Sequence, residues 1–333
     1  MEFVKSFRKQ IFNTEDDNSF GELALKLFRF QAEHNQVYRS YLEQLHIDIL
    51  QINHIEQIPF LPIEFFKTQE VTLTPNFSSK RRGERVFQSS GTTSENRSRH
   101  YVSDISLYEE SFRNGFGYFY GDIKNHCVLA LLPSYRKDSS LIYMVNDLIK
   151  RSEKKHSGFY LDNTDELITT LKLLNGLGQK TLLFGVSFAL LNLAEKCSLK
   201  LQNAIVMETG GMKGQRKEIV REELHRILCG KLGVDTIHSE YGMTELLSQA
   251  YSKGKGIFRC PPWMRILIRD VNDPFTILKE NQTGGINIID LANIYSCSFI
   301  ATQDLGKRHA DGSFEVLGRF DNSDLRGCNL MIE

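Results

Sequence analysis

The chemistry of this chain begins with the hydroxyl-rich segment Ser89–Ser94, which follows the apolar residues Val86 and Phe87. Hydroxyl groups gain nothing from burial unless they find hydrogen-bond partners, so the segment is unsuited to a core. Gly91 permits a tight turn in which backbone N–H groups and hydroxyls can surround one phosphate. The segment alone therefore predicts either a phosphate-binding loop or a Ser/Thr-rich surface turn.

A second candidate ligand segment is the glycine-rich run Glu208–Gly214, which follows a predicted strand and opens a predicted helix. Glycines at a junction of this kind allow the backbone to approach a flat or charged ligand closely. The run is not a Walker A loop, because no G-x-x-x-x-G-K-[ST] pattern occurs in the chain. The alternative interpretation is an ordinary glycine-rich loop.

The third candidate is Ser239–Glu245, also just past a predicted strand. The ring of Tyr241 could stack on a base, and Gly242 would let the base approach closely. Thr244 and Glu245 offer the oxygen ligands that a divalent cation prefers. Alternatively, Tyr241 is simply a core aromatic. His100 and His238 are the histidines nearest these segments, and we expect both to be structural.

The C-terminal region supplies a carboxylate, a cation and a thiol: Asp304, Arg319 and Cys328. A carboxylate at a strand end can bind two ribose hydroxyls, and an arginine can bind a phosphate through two hydrogen bonds. Arg326 would favour the thiolate form of Cys328; the alternative is a chance cysteine. The six cysteines are widely scattered, without C-x-x-C or zinc-site spacing.

The elements that must position these residues follow from the apolar pattern. Residues 1–58 form a mostly helical lead-in, with helical spacing from Phe20 to Leu50. From residue 126, apolar strands alternate with helices, which indicates a layered α/β domain with a largely parallel sheet. The predicted strands there are Cys127–Leu132, Thr181–Gly185, Ala204–Glu208 and Asp235–His238. Ligands in such sheets bind beyond the carboxyl ends of the strands.

After residue 262 the helical pattern stops and strands separated by turn residues predict a small β subdomain. These strands are Arg265–Arg269, Gly285–Asp290, Ser298–Thr302 and Ser313–Leu317. We therefore divide the chain into a helical lead-in (1–58), an α/β core (59–262) and a β subdomain with a short tail (263–333).

Composition excludes several classes of protein. Lys+Arg and Asp+Glu both number 41, so the net charge is zero, which argues against a protein whose main task is to bind nucleic acid. No run approaches the roughly 20 apolar residues of a membrane span. The N-terminus lacks the apolar core of a signal peptide. We therefore expect a cytoplasmic protein without a membrane span.

The order of the segments resembles a known superfamily. S-S-G-T-T, T-G-G, Y-G-M-T-E, D-L-G and G-R-x-D follow one another as in the acyl-adenylate-forming enzymes, which include the acyl-CoA ligases. The resemblance spans residues 59–328 and implies an adenylate-forming N-terminal domain. Within that superfamily, the P-F-L-P-I-E-F-F-K lead-in and the short chain resemble the acyl-protein synthetases of the LuxE type. Because the sequence stops soon after G-R-F-D, we expect the mobile C-terminal domain, with its lysine, to be essentially absent.

The resemblance implies a two-step reaction. A carboxylic acid, expected to be a fatty acid, attacks the α-phosphorus of ATP with Mg²⁺ as cofactor, and the acyl group then passes to a thiol. The residues implied for the β- and γ-phosphates are Ser89, Ser90, Gly91, Thr92 and Thr93. Those implied for adenine are Gly210, Gly211, Tyr241 and Gly242.

The same resemblance implies catalytic roles for Thr244 and Glu245 at the α-phosphate, with Glu245 also a magnesium ligand. Asp304 would bind ribose, Arg319 would bind ribose or phosphate, and Cys328 would accept the acyl group. An acyl-protein reductase or an acyl carrier is the implied partner. Two alternatives stay open: transfer to coenzyme A or a carrier protein with help from another chain, and a non-catalytic binding or scaffold subunit.

Overall fold

The computed structural model describes residues 2–14, 16–73, 85–90, 97–210 and 219–320. The chain forms two compact units. One, here called the central unit, is continuous and contains residues 83–261. The other, called the discontinuous unit, combines residues 1–82 with residues 262–333. The division into three parts that the sequence predicts, with boundaries at residues 58 and 262, stays a prediction.

Within the described residues, helices and strands have the following bounds. The helices are α1 (Glu2–Ile11), α2 (Asp17–His34), α3 (Gln36–Gln44), α4 (Phe65–Thr68), α5 (Ile105–Tyr120), α6 (Ser140–Ser152), α7 (Thr164–Gly176), α8 (Ser187–Lys196) and α9 (Arg221–Leu232). The strands are β1 (Leu61–Pro62), β2 (Arg85–Gln88), β3 (Arg99–Val102), β4 (Cys127–Leu131), β5 (Gly158–Phe159), β6 (Thr181–Val186), β7 (Ala204–Thr209), β8 (His238–Tyr241), β9 (Ala250–Ser252), β10 (Ile257–Arg259), β11 (Met264–Arg269), β12 (Thr283–Asp290), β13 (Phe299–Arg308) and β14 (Phe314–Arg319). None of the described helices is long and apolar enough to cross a membrane.

The central unit is built on a sheet in the order β10-β9-β8-β7-β6-β4-β5. The neighbours from β5 to β8 run parallel, while β9 and β10 pair antiparallel. Every residue of β4 and β6 is buried, as expected for strands covered on both faces. Helix α7 begins after Asn163, whose side chain accepts a hydrogen bond from the Glu166 N–H. The predicted layered α/β arrangement is confirmed.

Of the four strands predicted in the central unit, the last differs from the prediction. Asp235–His238 was expected to form it, but β8 runs from His238 to Tyr241. The polar residues Ser239 and Glu240 belong to the strand because they pair with β7 on one side and β9 on the other. Pairing on both sides therefore overrides the weak strand propensity of this polar stretch. The correction moves the strand end directly onto the Y-G-M-T-E segment.

The discontinuous unit contains the antiparallel sheet β11-β12-β13-β14, with β1 parallel to β13. This confirms strands after residue 262. Its core joins the beginning and the end of the chain, because Phe28 and Tyr38 both pack on Phe299. The helical stretch expected from Phe20 to Leu50 is interrupted at Asn35. That side chain caps α3 by accepting from the Tyr38 N–H and donates to the Ser296 carbonyl.

Candidate functional site

Two of the predicted ligand segments begin side by side in the central unit. Strand β7 ends at Thr209 and the parallel strand β8 ends at Tyr241. Thr209 lies directly opposite Glu240 in the register. Because parallel strands point their carboxyl ends to the same edge, the glycine-rich segment and the Y-G-M-T-E segment leave the sheet at one edge.

The glycine-rich segment is fixed at its start by buried side chains. Oγ1 of Thr209 donates a hydrogen bond to Oε2 of Glu240 at 2.5 Å. Oγ of Ser187, the first residue of α8, lies 2.5 Å from the Gly210 carbonyl oxygen and 3.1 Å from Oε2 of Glu208. These contacts hold the backbone at Gly210, whereas Gly211 lies outside the described residues.

The hydroxyl-rich segment leaves the antiparallel pair β2–β3. The N–H of Ser89 donates to the Ser98 carbonyl at 3.1 Å, and the N–H of Ser98 donates to Oγ of Ser89 at 3.0 Å. Residues 89 and 98 therefore close the end of the β2–β3 hairpin through two hydrogen bonds, and we call this pair the neck. Ser90 is the next residue of the hydroxyl-rich segment. Gly91, Thr92 and Thr93 lie outside the described residues.

Two arginines that the sequence analysis missed flank this neck. Nη2 of Arg136 lies 3.4 Å from the Gln88 carbonyl oxygen, 3.3 Å from the Ser89 carbonyl oxygen and 3.3 Å from Oδ2 of Asp138. Nη1 of Arg97 lies 3.5 Å from the same carboxylate oxygen. Two cations therefore stand where the hydroxyl segment leaves and rejoins the hairpin. The signal available in the sequence was their proximity to a serine-rich turn and to the end of a buried strand.

The hydroxyl hairpin is joined to the Y-G-M-T-E segment by His100. This residue lies on β3, is 1% exposed, and donates from Nδ1 to the Thr244 carbonyl oxygen at 2.8 Å. The bond connects the hairpin that carries the first predicted segment to the third segment, 144 residues later in the chain. The expected structural role of His100 thus brings Thr244 to the hairpin from which Ser89 and Ser90 emerge.

The side chains of the Y-G-M-T-E segment have different surroundings. Tyr241 is half-buried and meets Phe258 edge to face, with ring centroids 5.9 Å apart. Thr244 is half-buried, and Glu245 is buried with 4% exposure. A β-carbon on Gly242 would lie 2.5 Å from Oε1 of Glu240, so only glycine fits there without displacement.

A magnesium ion would find suitable donors in Thr244 and Glu245. The described residues contain no group of three or more His, Cys, Asp or Glu side chains that could hold a metal. Magnesium commonly uses one or two carboxylates together with phosphate oxygens of the substrate. The hydroxyl of Thr244 and the carboxylate of Glu245 are oxygen ligands of this type, so the residues present fit Mg²⁺ bound together with a nucleotide.

Asp304 and Arg319 lie together in the discontinuous unit. They face each other across β13 and β14, and Nε of Arg319 lies 3.2 Å from Oδ1 of Asp304. The arginine side chain is 79% exposed, whereas Asp304 is buried. Their ribose and phosphate roles stay predictions.

Four of the five described cysteines differ from what an acyl acceptor requires. Burial raises the pKa of the Cys297 thiol to about 12. Burial also raises the pKa of three other thiols, Cys127, Cys197 and Cys229. The nucleophile is the thiolate, so a raised pKa disfavours all four. Cys328 lies outside the described residues.

Comparison with known proteins identifies the fold. No protein-family model and no curated protein sequence matches the chain. ATP-bound MatB from Rhodopseudomonas palustris is 17% identical, with a TM-score of 0.53 over 70% of this chain and 47% of that one. An open conformation of 2-hydroxyisobutyryl-CoA ligase in complex with 2-HIB-AMP and CoA is 11% identical, with a TM-score of 0.64 over 94% of this chain and 78% of that one. The chain thus spans about half the length of MatB. The layered α/β fold predicted for an adenylate-forming N-terminal domain is the fold that this chain shares with these two proteins.

Proposed function

We propose that this chain uses ATP to activate a carboxylic acid as acyl-AMP and then transfers the acyl group to a thiol. One observation carries the proposal: the three candidate ligand segments of the central unit are joined by hydrogen bonds at one edge. His100 links the hydroxyl hairpin to Thr244, and Thr209 links the glycine-rich segment to Glu240. The shared fold supports the proposal, since its two similar structures hold ATP in one case and an acyl adenylate in the other.

The first step needs groups that neutralise a polyphosphate. A carboxylate oxygen of the acid attacks the α-phosphorus, and the bond to the bridging oxygen breaks so that pyrophosphate leaves. Ser89 and Ser90, with Gly91, Thr92 and Thr93, bind the β- and γ-phosphates in this proposal. Mg²⁺, when bound, supplies positive charge to the phosphate oxygens. Thr244 and Glu245 act at the α-phosphate, where the carboxylate of Glu245 would hold the ion.

The nucleoside is held by a separate set of groups. In this proposal Tyr241 stacks on adenine, and the small residues Gly210, Gly211 and Gly242 permit its close approach. The ring of Tyr241 is half-buried, which suits stacking better than the position of a fully enclosed core aromatic would. Asp304 binds the ribose hydroxyls, and Arg319 binds ribose or phosphate.

The second step passes the acyl group to Cys328. Its thiolate attacks the acyl carbonyl carbon, the acyl–phosphate bond breaks, and AMP leaves with the electron pair. The raised pKa values of Cys127, Cys197, Cys229 and Cys297 disfavour those four thiols as acceptors. By resemblance to the LuxE-type synthetases, the acid is a fatty acid and the acylated protein serves an acyl-protein reductase or an acyl carrier in the cytoplasm.

The adenylation step is tested by acid-dependent exchange of labelled pyrophosphate into ATP, with Mg²⁺ and a series of fatty acids. We expect exchange with at least one acid. Glu245→Gln should lose about 10²-fold or more in rate, because a buried carboxylate at the α-phosphate is removed. Glu223→Gln is the matched control, since Glu223 only pairs with Arg226 on the surface. Absence of exchange with every acid would contradict the proposal and favour a non-catalytic subunit.

The acceptor is tested with a labelled fatty acid and ATP. Cys328→Ser should retain pyrophosphate exchange but no longer hold acyl label on the protein. Cys260→Ser, a change at a half-buried thiol, is the control and should hold label normally. Label held normally by Cys328→Ser would contradict the assignment. Coenzyme A is the second candidate acceptor, because the 2-hydroxyisobutyryl-CoA ligase structure contains it; acyl-CoA formed from added coenzyme A would favour that alternative.

A further inference from the structure

Glu240 is a buried carboxylate to which the proposed reaction assigns no role. It lies one residue before the end of β8 and is 8% exposed. Its Oε2 accepts the hydrogen bond from Oγ1 of Thr209, and the two residues are direct partners across β7 and β8. The carboxylate therefore ties the last residue of one strand to the neighbouring strand at the point where both ligand segments begin.

The other oxygen of the same carboxylate lies against the Y-G-M-T-E segment. A β-carbon built on Gly242 would be 2.5 Å from Oε1 of Glu240 and 3.3 Å from Cγ of Gln249. The side chain of Glu240 thus points towards the end of its own strand and lies beside Gly242, the first residue after β8. One carboxylate contacts both the segment that follows β7 and the segment that follows β8.

Three largely buried tyrosines lie close enough to Glu240 for its charge to affect them. Burial raises the pKa of Tyr251 far above its ordinary value, and the charge of Glu240 raises it further. Burial and then Glu240 act in the same way on Tyr108 and Tyr120. Taking a carboxylate out of water opposes folding unless its hydrogen bonds offset the loss. A buried charged side chain that lowers the free energy of unfolding is expected mainly at functional sites.

We infer that Glu240 is a positioning residue that fixes the spacing between Gly210 and the Tyr241–Gly242 backbone. This inference rests on the proposed function, in which that spacing admits adenine. A carboxylate accepts a stronger hydrogen bond from Thr209 than a neutral amide does. Glu240→Gln keeps the size of the side chain but weakens this bond. The spacing between Gly210 and the Tyr241–Gly242 backbone should then become less well defined, while the contacts to phosphate and to the acid persist.

The expected result is a selective change in the KM for ATP. Glu240→Gln and Thr209→Val should each raise it by about tenfold, with kcat and the KM for the acid unchanged. The double variant should be no worse than either single variant, because both changes break the same bond. Thr209→Ser retains the hydroxyl and should restore the wild-type KM. Glu223→Gln again serves as the matched surface control.

Thermal unfolding without nucleotide separates positioning from a merely structural role. We expect Glu240→Gln to unfold at the wild-type temperature or above. An unchanged KM for ATP or a multiplicative effect in the double variant would overturn the inference. A raised KM accompanied by a lower unfolding temperature would show a merely structural role and would overturn it as well.

Calorimetric titration with Mg²⁺ and ATP separates this inference from the proposed function. ATP binding without exchange would refute the proposed function alone. Equal Kd values for wild type and Glu240→Gln would refute the role of Glu240. A wild-type protein that does not bind ATP would refute both.

Discussion

Gly242 has no room for a side chain, because the carboxylate of Glu240 and the stem of Gln249 already fill that space. We expect Gly242→Ala to lower the free energy of unfolding by about 1–3 kcal/mol, as overpacking does in a filled interior. It should also reduce pyrophosphate exchange. Urea denaturation measures the first effect.

The matched control for that change is Gly117→Ala on helix α5, where a β-carbon would meet nothing within 4 Å. Alanine is the better helix former, so this variant should gain about 0.5–1 kcal/mol. Equal stability of Gly242→Ala and wild type would show that the Glu240 carboxylate can move aside.

Arg136 is the second residue whose contacts lead to a specific expectation. Its guanidinium lies within reach of two carbonyls and one carboxylate at the neck of the hydroxyl hairpin. Arg136→Ala should raise the KM for ATP by about tenfold while the KM for the acid stays constant. Arg136→Lys should not restore the wild-type KM, because an ammonium group cannot reproduce the planar arrangement of N–H donors in a guanidinium. Initial rates of exchange measure both constants.

A surface arginine provides the comparison for Arg136. Arg151 is about half exposed and forms an i,i+4 pair with Asp147, away from the hydroxyl hairpin's contacts, so Arg151→Ala should leave both KM values unchanged. An unaltered KM for ATP in Arg136→Ala, or full recovery in Arg136→Lys, would contradict a role for the guanidinium at the neck.

Residue types and their order were enough to predict the ligand segments but not what holds them. Gly210, Tyr241 and Thr244 were predicted as site residues because glycine, aromatic and hydroxyl side chains follow strand ends. His100 and Arg136 were not assigned to the site, since their partners are 144 and 47–48 residues away. Pairings of that kind are created by the fold and leave no periodic signal in one sequence.

Among the elements, β8 carries a pH-sensitive group at its first residue. Nδ1 of His238 lies 3.2 Å from the Tyr120 hydroxyl, which can donate to the neutral imidazole. Burial, with a smaller contribution from Lys253, lowers the His238 pKa from 6.5 to about 4. An unfolded chain therefore binds a proton here below pH 6.5, whereas the folded chain does so only below about pH 4.

This difference predicts the sign of a stability change. The free energy of unfolding should fall as the pH decreases from 6.5 to 4, and this contribution should level off below pH 4. His238→Asn should remove that part of the slope, and the exposed His46→Asn serves as the comparison. Urea titrations at several pH values measure the effect. Parallel pH profiles for wild type and His238→Asn would contradict it.

Helices and buried strands were predicted well, because a helix leaves apolar residues at helical spacing and a strand covered on both faces leaves a continuous apolar run. Strand β4 is apolar throughout, β6 is apolar apart from Thr181, and α7 carries its cap at Asn163. The polar strand β8 and the break at Asn35 were missed. In both cases hydrogen bonds to distant parts of the same unit decide the backbone conformation, and local propensity does not encode them.

At the scale of the whole molecule, the balance of charges sets solution behaviour. The chain has equal numbers of basic and acidic residues and a sequence pI of about 7.1. Without net charge, copies do not repel one another, so we expect the lowest solubility near pH 7 and a clear increase at pH 8.5. Light scattering of the full chain across this range measures the effect. A solubility minimum well away from pH 7 would contradict it.

The discontinuous unit has a consequence for folding during translation. Gln31 bonds to Ser298, 267 residues later in the chain, and β1 pairs with β13. At usual translation rates, roughly 10–50 s pass between the synthesis of α2 and the synthesis of β13, the strand against which Phe28 packs. The continuous central unit is synthesised entirely within that interval. During that interval the apolar faces of the N-terminal helices lack the strands against which they pack. Depletion of chaperones should therefore cause the accumulation of chains in which the central unit is folded and residues 1–82 are accessible to protease.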